Sequence, residues 1–167
     1  MKLAVKVQWV VDGGVAAAVA FDAWDAPEAS KTYTSRIAQA DKPARGAPDL
    51  RDIAAVQQLL REHALAPELI VIDGFVHLDA DGTPGLGWHL HQALGGAVAV
   101  IGVTKKAIAG GPAQFEVIRE EESPPLTVTC VGIDIGAAKA RLRTMHGKRR
   151  VPTLLKLVNR IARNDAP

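Results

Sequence analysis

A short, continuous apolar run near the middle of the chain constrains the fold more than any other feature. Residues Glu68–Ile72 (ELIVI) lack the polar–apolar alternation of a half-exposed strand, and the run ends abruptly at Asp73-Gly74. Such a run is typical of a strand buried on both faces, as in the sheets of α/β proteins. A second run, Ala97–Val103, predicts another buried strand.

The rest of the chain supplies further strands and helices around these two runs. Val-rich or alternating segments predict strands over residues 3–11, 15–21, 31–37, 115–118 and 126–131. Apolar residues at helical spacing, together with helix-start signals, predict helices over residues 49–64, 85–94, 134–145 and 152–163. Residues 41–48 hold two prolines and a glycine and are expected to form a loop. A leading hairpin followed by strand–helix–strand units predicts an α/β fold, a mixed sheet with helices on its faces, in a single domain over residues 1–167.

Positive charge is concentrated near the end of the chain, although the formal net charge is only +2. Between residues 139 and 163 there are nine Lys and Arg residues and no acidic residue. Such a block either binds nucleic-acid phosphates with release of counterions or forms the solvated face of a helix. No apolar stretch approaches the ~20 residues of a membrane span, and no signal-peptide core is seen, so a cytoplasmic protein with no membrane partner is expected.

Three aspartates are candidates for metal chemistry. Asp12 and Asp73 follow predicted strands, and Asp49 lies at the start of the first predicted helix. Because ligands bind beyond the carboxyl ends of strands in such sheets, Asp12 and Asp73 could converge there. Mg²⁺ usually takes one or two carboxylates plus waters and substrate phosphates. Each aspartate also has a simpler explanation, since Asp-Gly pairs form turns and Asp49 could cap its helix.

Several segments resemble the endonuclease V family. In residues 68–94 a buried strand ends in Asp-Gly, a histidine follows in a loop, and the segment GLGWHL (residues 85–90) is similar to the family's Gly-Leu-Ala-Ser-His-Leu. Residues 98–108 (VAVIGVTKKAI) are similar to the family's Ile-Gly-Val-Ala-Lys-Lys, and weaker similarities lie in residues 125–128 and 151–163. The resemblance implies a ribonuclease H-like fold and metal-dependent hydrolysis of phosphodiester bonds near deaminated bases such as inosine.

The resemblance also implies roles for individual residues. Asp12, Asp49 and Asp73 correspond to the family's catalytic carboxylates, which bind Mg²⁺ (Mn²⁺ is the alternative), and Asn159 corresponds to a further metal ligand on the last helix. Lys105 corresponds to the family's catalytic lysine, which would stabilise charge on the phosphate. The residues that would contact the DNA or RNA substrate are Gly74, His77, His89, Gly102 and Lys106.

Parts of the family pattern are missing from this chain. The family's wedge loop, Pro-Tyr-Ile/Val-Pro, corresponds to residues 38–48 (AQADKPARGAP), which contain no aromatic residue. Asp49 is shorter than the family's glutamate, and Asn159 is neutral. Three functions are therefore open: a Mg²⁺-dependent endonuclease, a nucleic-acid-binding relative that has lost catalysis, and an interaction module. A zinc site is not expected, because His89 and His91 are two residues apart and point to different sides of a helix.

Overall fold

The computed structural model describes residues 1–45 and 49–165. Within them the strands are β1 (Lys2–Val10), β2 (Gly13–Phe21), β3 (Lys31–Ala38), β4 (Leu69–Asp73), β5 (Ala99–Thr104), β6 (Glu116–Val117) and β7 (Leu126–Val131). The helices are α1 (Arg51–Glu62), α2 (Leu86–Ala93), α3 (Ile135–Thr144) and α4 (Thr153–Asp165), and a 3₁₀ turn spans Ala113–Phe115. Every predicted strand and helix is present, with bounds within about two residues of the expected ones, which is the usual uncertainty of element ends.

Three parallel strands form the centre of one mixed sheet of order β3-β2-β1-β4-β5-β7-β6. Strand β4 pairs in parallel with β1 and with β5, and the strands on either side extend the sheet in antiparallel fashion. Between β1 and β4, Val5 lies opposite Ile72, so the next residues along the two strands are Lys6 and Asp73. The carboxyl ends of the three parallel strands meet at one edge, where sheets of this type bind ligands.

Helices cover both faces of the sheet. Side chains alternate between faces along a strand, so Leu69 and Val71 join the core beneath α3 and α4, whereas Ile70 and Ile72 join the core beneath α1 and α2. Strand β4 is thus buried on both faces, as its unbroken apolar sequence predicts. The α/β prediction, a mixed sheet with helices on both faces, is confirmed.

The start of α1 differs from the predicted one. The residue that precedes the helix is Leu50, and it makes no side-chain capping bond. Asp49 lies one residue earlier, and its carboxylate accepts a hydrogen bond from the amide of Arg51, the first residue of α1, at 3.2 Å. Asp49 thus satisfies one of the free N–H groups at the helix start, as predicted for a capping residue. A side-chain cap is also found at α3, where the Asp134 carboxylate accepts a hydrogen bond from the Ala137 amide at 3.2 Å.

Two further predictions concern the loop over residues 41–48 and membrane-spanning segments. The predicted loop 41–48 is irregular over residues 41–45, and residues 46–48 lie outside the described residues. In the described ranges, no helix is both long and apolar enough to cross a membrane.

Candidate functional site

A cleft opens at the carboxyl ends of β4 and β5, on the sheet face that α4 covers. Its volume is about 300 Å³, and an apolar floor lies beneath its polar residues. Strand β4 contributes Asp73, the turn after β5 contributes Lys105 and Lys106, and α4 contributes Asn159. Four of the residues predicted for the site therefore line one cleft, which we call the α4 cleft.

The turn that carries the two lysines is held by neighbouring hydroxyl groups. Thr127 donates its hydroxyl to the carbonyl of Lys106 at 2.7 Å, and the Lys106 amide donates to the hydroxyl of Thr104 at 3.2 Å. Arg150 donates a guanidinium N–H to the Lys105 carbonyl at 3.4 Å. The backbone is thus anchored while both lysine side chains are exposed, which suits them to contact an anionic ligand.

A lysine lies beside Asp73 on the adjacent strand. Lys6 Nζ is 2.7 Å from Asp73 Oδ2, and the two side chains are 28% and 44% exposed. This contact follows from strand register, because the pairing of Val5 with Ile72 puts Lys6 and Asp73 at the same level and on the same sheet face. Strand pairing therefore fixes an ion pair at the edge of the α4 cleft.

A second carboxylate approaches this pair from α1. Asp52, in the first turn of the helix, lines a hollow of about 30 Å³ together with Lys6 and Asp73, and we call it the Lys6 hollow. Trp9 donates its indole N–H to Asp52 Oδ1 at 2.7 Å. Burial raises the pKa of Asp52 above its ordinary value, although the Trp9 hydrogen bond and the charges of Lys6 and Arg51 act in the opposite direction.

The structure does not bring Asp12 to this site. Asp12 lies with Val11 in the hairpin turn between β1 and β2 and is exposed, and Gly13, with a φ of 144°, begins β2. Strand β1 continues four residues beyond Lys6 to Val10, so the turn lies more than about 13 Å past the level of Asp73 at ~3.3 Å per residue.

Asp49 lines neither the α4 cleft nor the Lys6 hollow, and Arg51 binds its carboxylate. The Nε and Nη2 atoms of Arg51 donate to the carboxylate at 3.0 and 2.8 Å, and the side-chain hydrogen bond lowers the pKa of Asp49. The predicted cluster of Asp12, Asp49 and Asp73 is therefore corrected. In residues 1–45 and 49–165, no group of three or more His, Cys, Asp and Glu side chains is placed to bind a metal ion.

The residues at the site do not fit a resident Mg²⁺ ion. Such an ion requires oxygen ligands at about 2.0–2.1 Å and usually retains several waters. Asp73 is bound by the Lys6 ammonium, Asp52 by the Trp9 indole, and Asn159 carries no charge. A lysine ammonium thus neutralises Asp73 where the predicted mechanism requires a divalent cation.

The predicted substrate contacts Gly74 and Gly102 have a packing role. A Cβ atom at Gly102, in β5, would lie 2.4 Å from the Gly74 carbonyl oxygen and 3.0 Å from the Val76 amide nitrogen. The loop after β4 therefore crosses β5 in direct contact with its backbone, and the Gly74 amide donates to the Val103 carbonyl at 3.2 Å. Neither glycine lines the α4 cleft.

The two predicted histidines also lie outside the α4 cleft. His77 forms an isolated β-bridge with Pro84, and its Nδ1 atom is buried without a hydrogen-bond partner in the described part of the chain. His89 is half-buried in α2 and packs edge-on against Trp88, with ring centroids 5.2 Å apart. Their surroundings indicate packing roles.

Sequence reasoning missed Lys6 and Asp52, although each leaves a signal. Lys6 points to the same face of β1 as Ala4, two residues earlier. Ala4 is completely buried, so Lys6 is a charged residue on a core-facing position. Asp52 precedes Val56 and Leu59 at helical spacing, so it is a carboxylate on the apolar face of α1. A charge on a core-facing position is the pattern that identifies both residues.

Basic side chains also cover the outer face of α4. Lys156, Arg160 and Arg163 are exposed at i, i+4 and i+7, opposite the buried Leu155 and Val158. Among the described residues none of the three forms a salt bridge. Like charges at this spacing destabilise an isolated helix by about 0.2–0.5 kcal/mol per pair, so the row does not serve helix stability and is suited to an anionic partner.

This architecture, a mixed sheet with a parallel centre and helices on both faces, is the ribonuclease H-like fold. Solved endonuclease V structures share it. The enzyme of Ciona intestinalis in complex with inosine-containing DNA has a TM-score of 0.78 at 16% identity, over 98% of this chain and 84% of that chain. Endonuclease V of Streptomyces avermitilis has a TM-score of 0.77 at 24% identity, over 97% and 79% of the two chains. The catalytic domain of human endonuclease V has a TM-score of 0.72 at 18% identity, over 98% and 80%.

The sequence itself diverges strongly from these proteins. No family model and no curated protein matches it. The chain has the endonuclease V fold, as the sequence resemblance implies, and at these low identities the likeness establishes the fold alone.

Proposed function

We propose that this protein binds nucleic acid in the α4 cleft and does not cleave it by a metal-dependent reaction. The observation that carries the proposal is the 2.7 Å contact between Lys6 Nζ and Asp73 Oδ2. Metal-dependent hydrolysis requires free carboxylates to hold a cation that polarises the phosphodiester and activates water. An ammonium group on Asp73 competes directly with that cation.

Positive charge around the cleft supports nucleic-acid binding. Lys105 and Lys106 line the cleft, and the exposed row on α4 lies on the helix that contributes Asn159. Lysine and arginine side chains bind phosphates with release of condensed counterions, which makes the affinity salt-dependent. Because the similarly folded protein of Ciona intestinalis forms a complex with inosine-containing DNA, an inosine-containing strand is the first ligand to test.

Magnesium-dependent hydrolysis near a deaminated base is the second candidate. One observation favours it: Asp73, Lys105 and Asn159, all predicted from the family resemblance, line the same cleft. The pairing of Asp73 with Lys6 and of Asp52 with Trp9 opposes it. The lack of an aromatic residue in segment 38–48 opposes recognition of a lesion by strand separation.

End-labelled oligonucleotides with and without inosine distinguish the two functions. Single-stranded DNA and RNA would be incubated with Mg²⁺, Mn²⁺ or EDTA, using wild-type protein, Asp73→Ala and the control Asp12→Ala, which removes a carboxylate in the distant hairpin turn. We expect salt-sensitive binding and no cleavage under any condition. Metal-dependent cleavage that is lost in Asp73→Ala and retained in Asp12→Ala would establish hydrolysis instead, and no binding at low salt would reject both functions.

A further inference from the structure

We propose that Lys6 is the resident cation of this site, and that nucleic acid therefore binds in the α4 cleft without any requirement for a divalent metal. The inference rests on the proposed function because it concerns the same cleft. It adds that the Lys6 side chain supplies the positive charge that a metal ion would otherwise supply at this site.

The position of Lys6 is the first support. The side chain lies on a core-facing position of β1, and its ammonium group is 2.7 Å from Asp73 Oδ2. Asp52 lines the same hollow from α1, so two carboxylates and one ammonium group share this hollow. Asp73 lines both the Lys6 hollow and the α4 cleft, so the charge on Lys6 acts directly at the cleft edge.

The charge balance is the second support. Without a cation, the Asp73 carboxylate at the edge of the α4 cleft repels a phosphodiester, and Asp52 in the adjoining Lys6 hollow adds to the negative charge. Lys6 offsets the charge of Asp73, and the exposed Lys105 and Lys106 make the cleft itself positive. The Lys6–Asp73 pair is partly exposed and contributes little to fold stability. Its main consequence is therefore the sign of the electrostatic potential at the α4 cleft.

Metal dependence of the affinity is the direct test. Binding of a fluorescently labelled, inosine-containing single strand would be measured by anisotropy in EDTA and in Mg²⁺ at matched ionic strength. The variants are Lys6→Asp, Lys6→Met and Lys2→Asp. Lys2 is a matched control, because it has the same strand and face as Lys6 and also pairs with a carboxylate, that of Glu68 at 3.5 Å.

We expect the affinity of wild-type protein to differ by less than about twofold between EDTA and Mg²⁺, and we expect the same of Lys2→Asp. Lys6→Asp creates three carboxylates without a cation, so we expect it to lose at least about tenfold in EDTA and to recover affinity in Mg²⁺. Lys6→Met removes the charge without adding a carboxylate, and it provides the test if Lys6→Asp does not fold. It should also bind more weakly than wild type in EDTA. An increase of about tenfold or more in wild-type affinity on adding Mg²⁺ would overturn the inference and leave the proposed function intact.

A titration with Mn²⁺ alone, followed by electron paramagnetic resonance, separates the inference from the proposed function. We expect Lys6→Asp to bind Mn²⁺ tightly and wild-type protein not to do so. Equal Mn²⁺ affinity of the two proteins would overturn the inference. If wild-type protein fails to bind the oligonucleotide in both conditions, the proposed function is rejected, and the Mn²⁺ titration still decides whether Lys6 replaces the metal.

Discussion

Trp9 donates its indole N–H to the carboxylate of Asp52 across 2.7 Å, which joins the end of β1 to the first turn of α1. The guanidinium carbon of Arg51 lies 4.6 Å from the centroid of the same indole. At Gly14, on β2, a Cβ atom would lie 2.8 Å from a carbon of that ring, so the ring packs directly on the sheet backbone. The indole is thus fixed from two directions, and it holds Asp52 in the wall of the Lys6 hollow.

Asp52→Asn is expected to remove a stability penalty that grows with pH. Because burial raises the pKa of Asp52, the folded protein holds this proton more tightly than the unfolded chain does. Stability from this group is therefore complete below its ordinary pKa and is lost as the pH rises through the raised value. Asparagine can still accept the Trp9 hydrogen bond without carrying a charge.

Urea unfolding of wild type and Asp52→Asn checks this expectation. It is measured between the ordinary and the raised pKa of Asp52 and again at neutral pH. The free energy of unfolding of wild type minus that of the variant should fall through the window and then level off. At neutral pH the variant should be at least as stable as wild type. Parallel pH profiles, or a variant that is clearly less stable at neutral pH, would contradict the assignment of a costly buried charge to Asp52.

Lys6→Met is expected to lower the free energy of unfolding by less than about 1 kcal/mol. The pair with Asp73 is partly exposed, at 28% and 44%, and solvent screens ion pairs of this kind. Methionine retains the aliphatic contacts of the lysine stem. Chemical denaturation at low and high salt, with Lys2→Met as the control, measures the effect, and the difference from wild type should shrink at high salt. A loss of several kcal/mol would mean that Lys6 is primarily structural.

Gly102→Ala is expected to destabilise the fold by about 1–3 kcal/mol or more, because no flexible group can move away from the new methyl group. The added Cβ would lie 2.4 Å from the Gly74 carbonyl oxygen, so either the loop after β4 or strand β5 must shift. Gly136→Ala, in α3, is the control. Its nearest neighbour is Asp134 Oδ2 at 3.0 Å, the capping atom of α3, on an exposed side chain that needs to shift by only a few tenths of an ångström, and alanine is favoured over glycine in a helix by up to about 1 kcal/mol. Thermal unfolding should show a large loss for Gly102→Ala and a small change or a gain for Gly136→Ala.

Local sequence patterns are sufficient to predict the architecture and part of the site. The unbroken apolar run of β4 predicts a strand buried on both faces because its composition reports burial directly. Asp73, Lys105 and Asn159 adjoin recognisable elements and lie in one cleft. Asp12 and Asp49 were assigned from an Asp-Gly pair and a helix start, and such features do not encode which residues of two strands lie side by side.

Strand register is the information that the sequence does not display. Lys6 meets Asp73 only because β1 pairs with β4, two segments far apart in the chain. A one-residue slip would move every side chain of β1 to the opposite face, so the partner of Asp73 depends on the packing of both faces at once. Asp52 reaches the pair through the docking of α1 on the same sheet.

Lys105→Ala/Lys106→Ala is expected to weaken single-strand binding and to flatten its salt dependence. Each phosphate contact on a single strand contributes about 0.7 to the slope of log affinity against log salt, so loss of both contacts should reduce the slope by up to about 1.4. Lys42→Ala/Arg45→Ala is the matched control, because it removes two exposed basic residues from the loop after β3, outside the α4 cleft. Anisotropy titrations at several salt concentrations give both slopes. Equal losses in the two double variants would show that net charge, rather than the α4 cleft, governs binding.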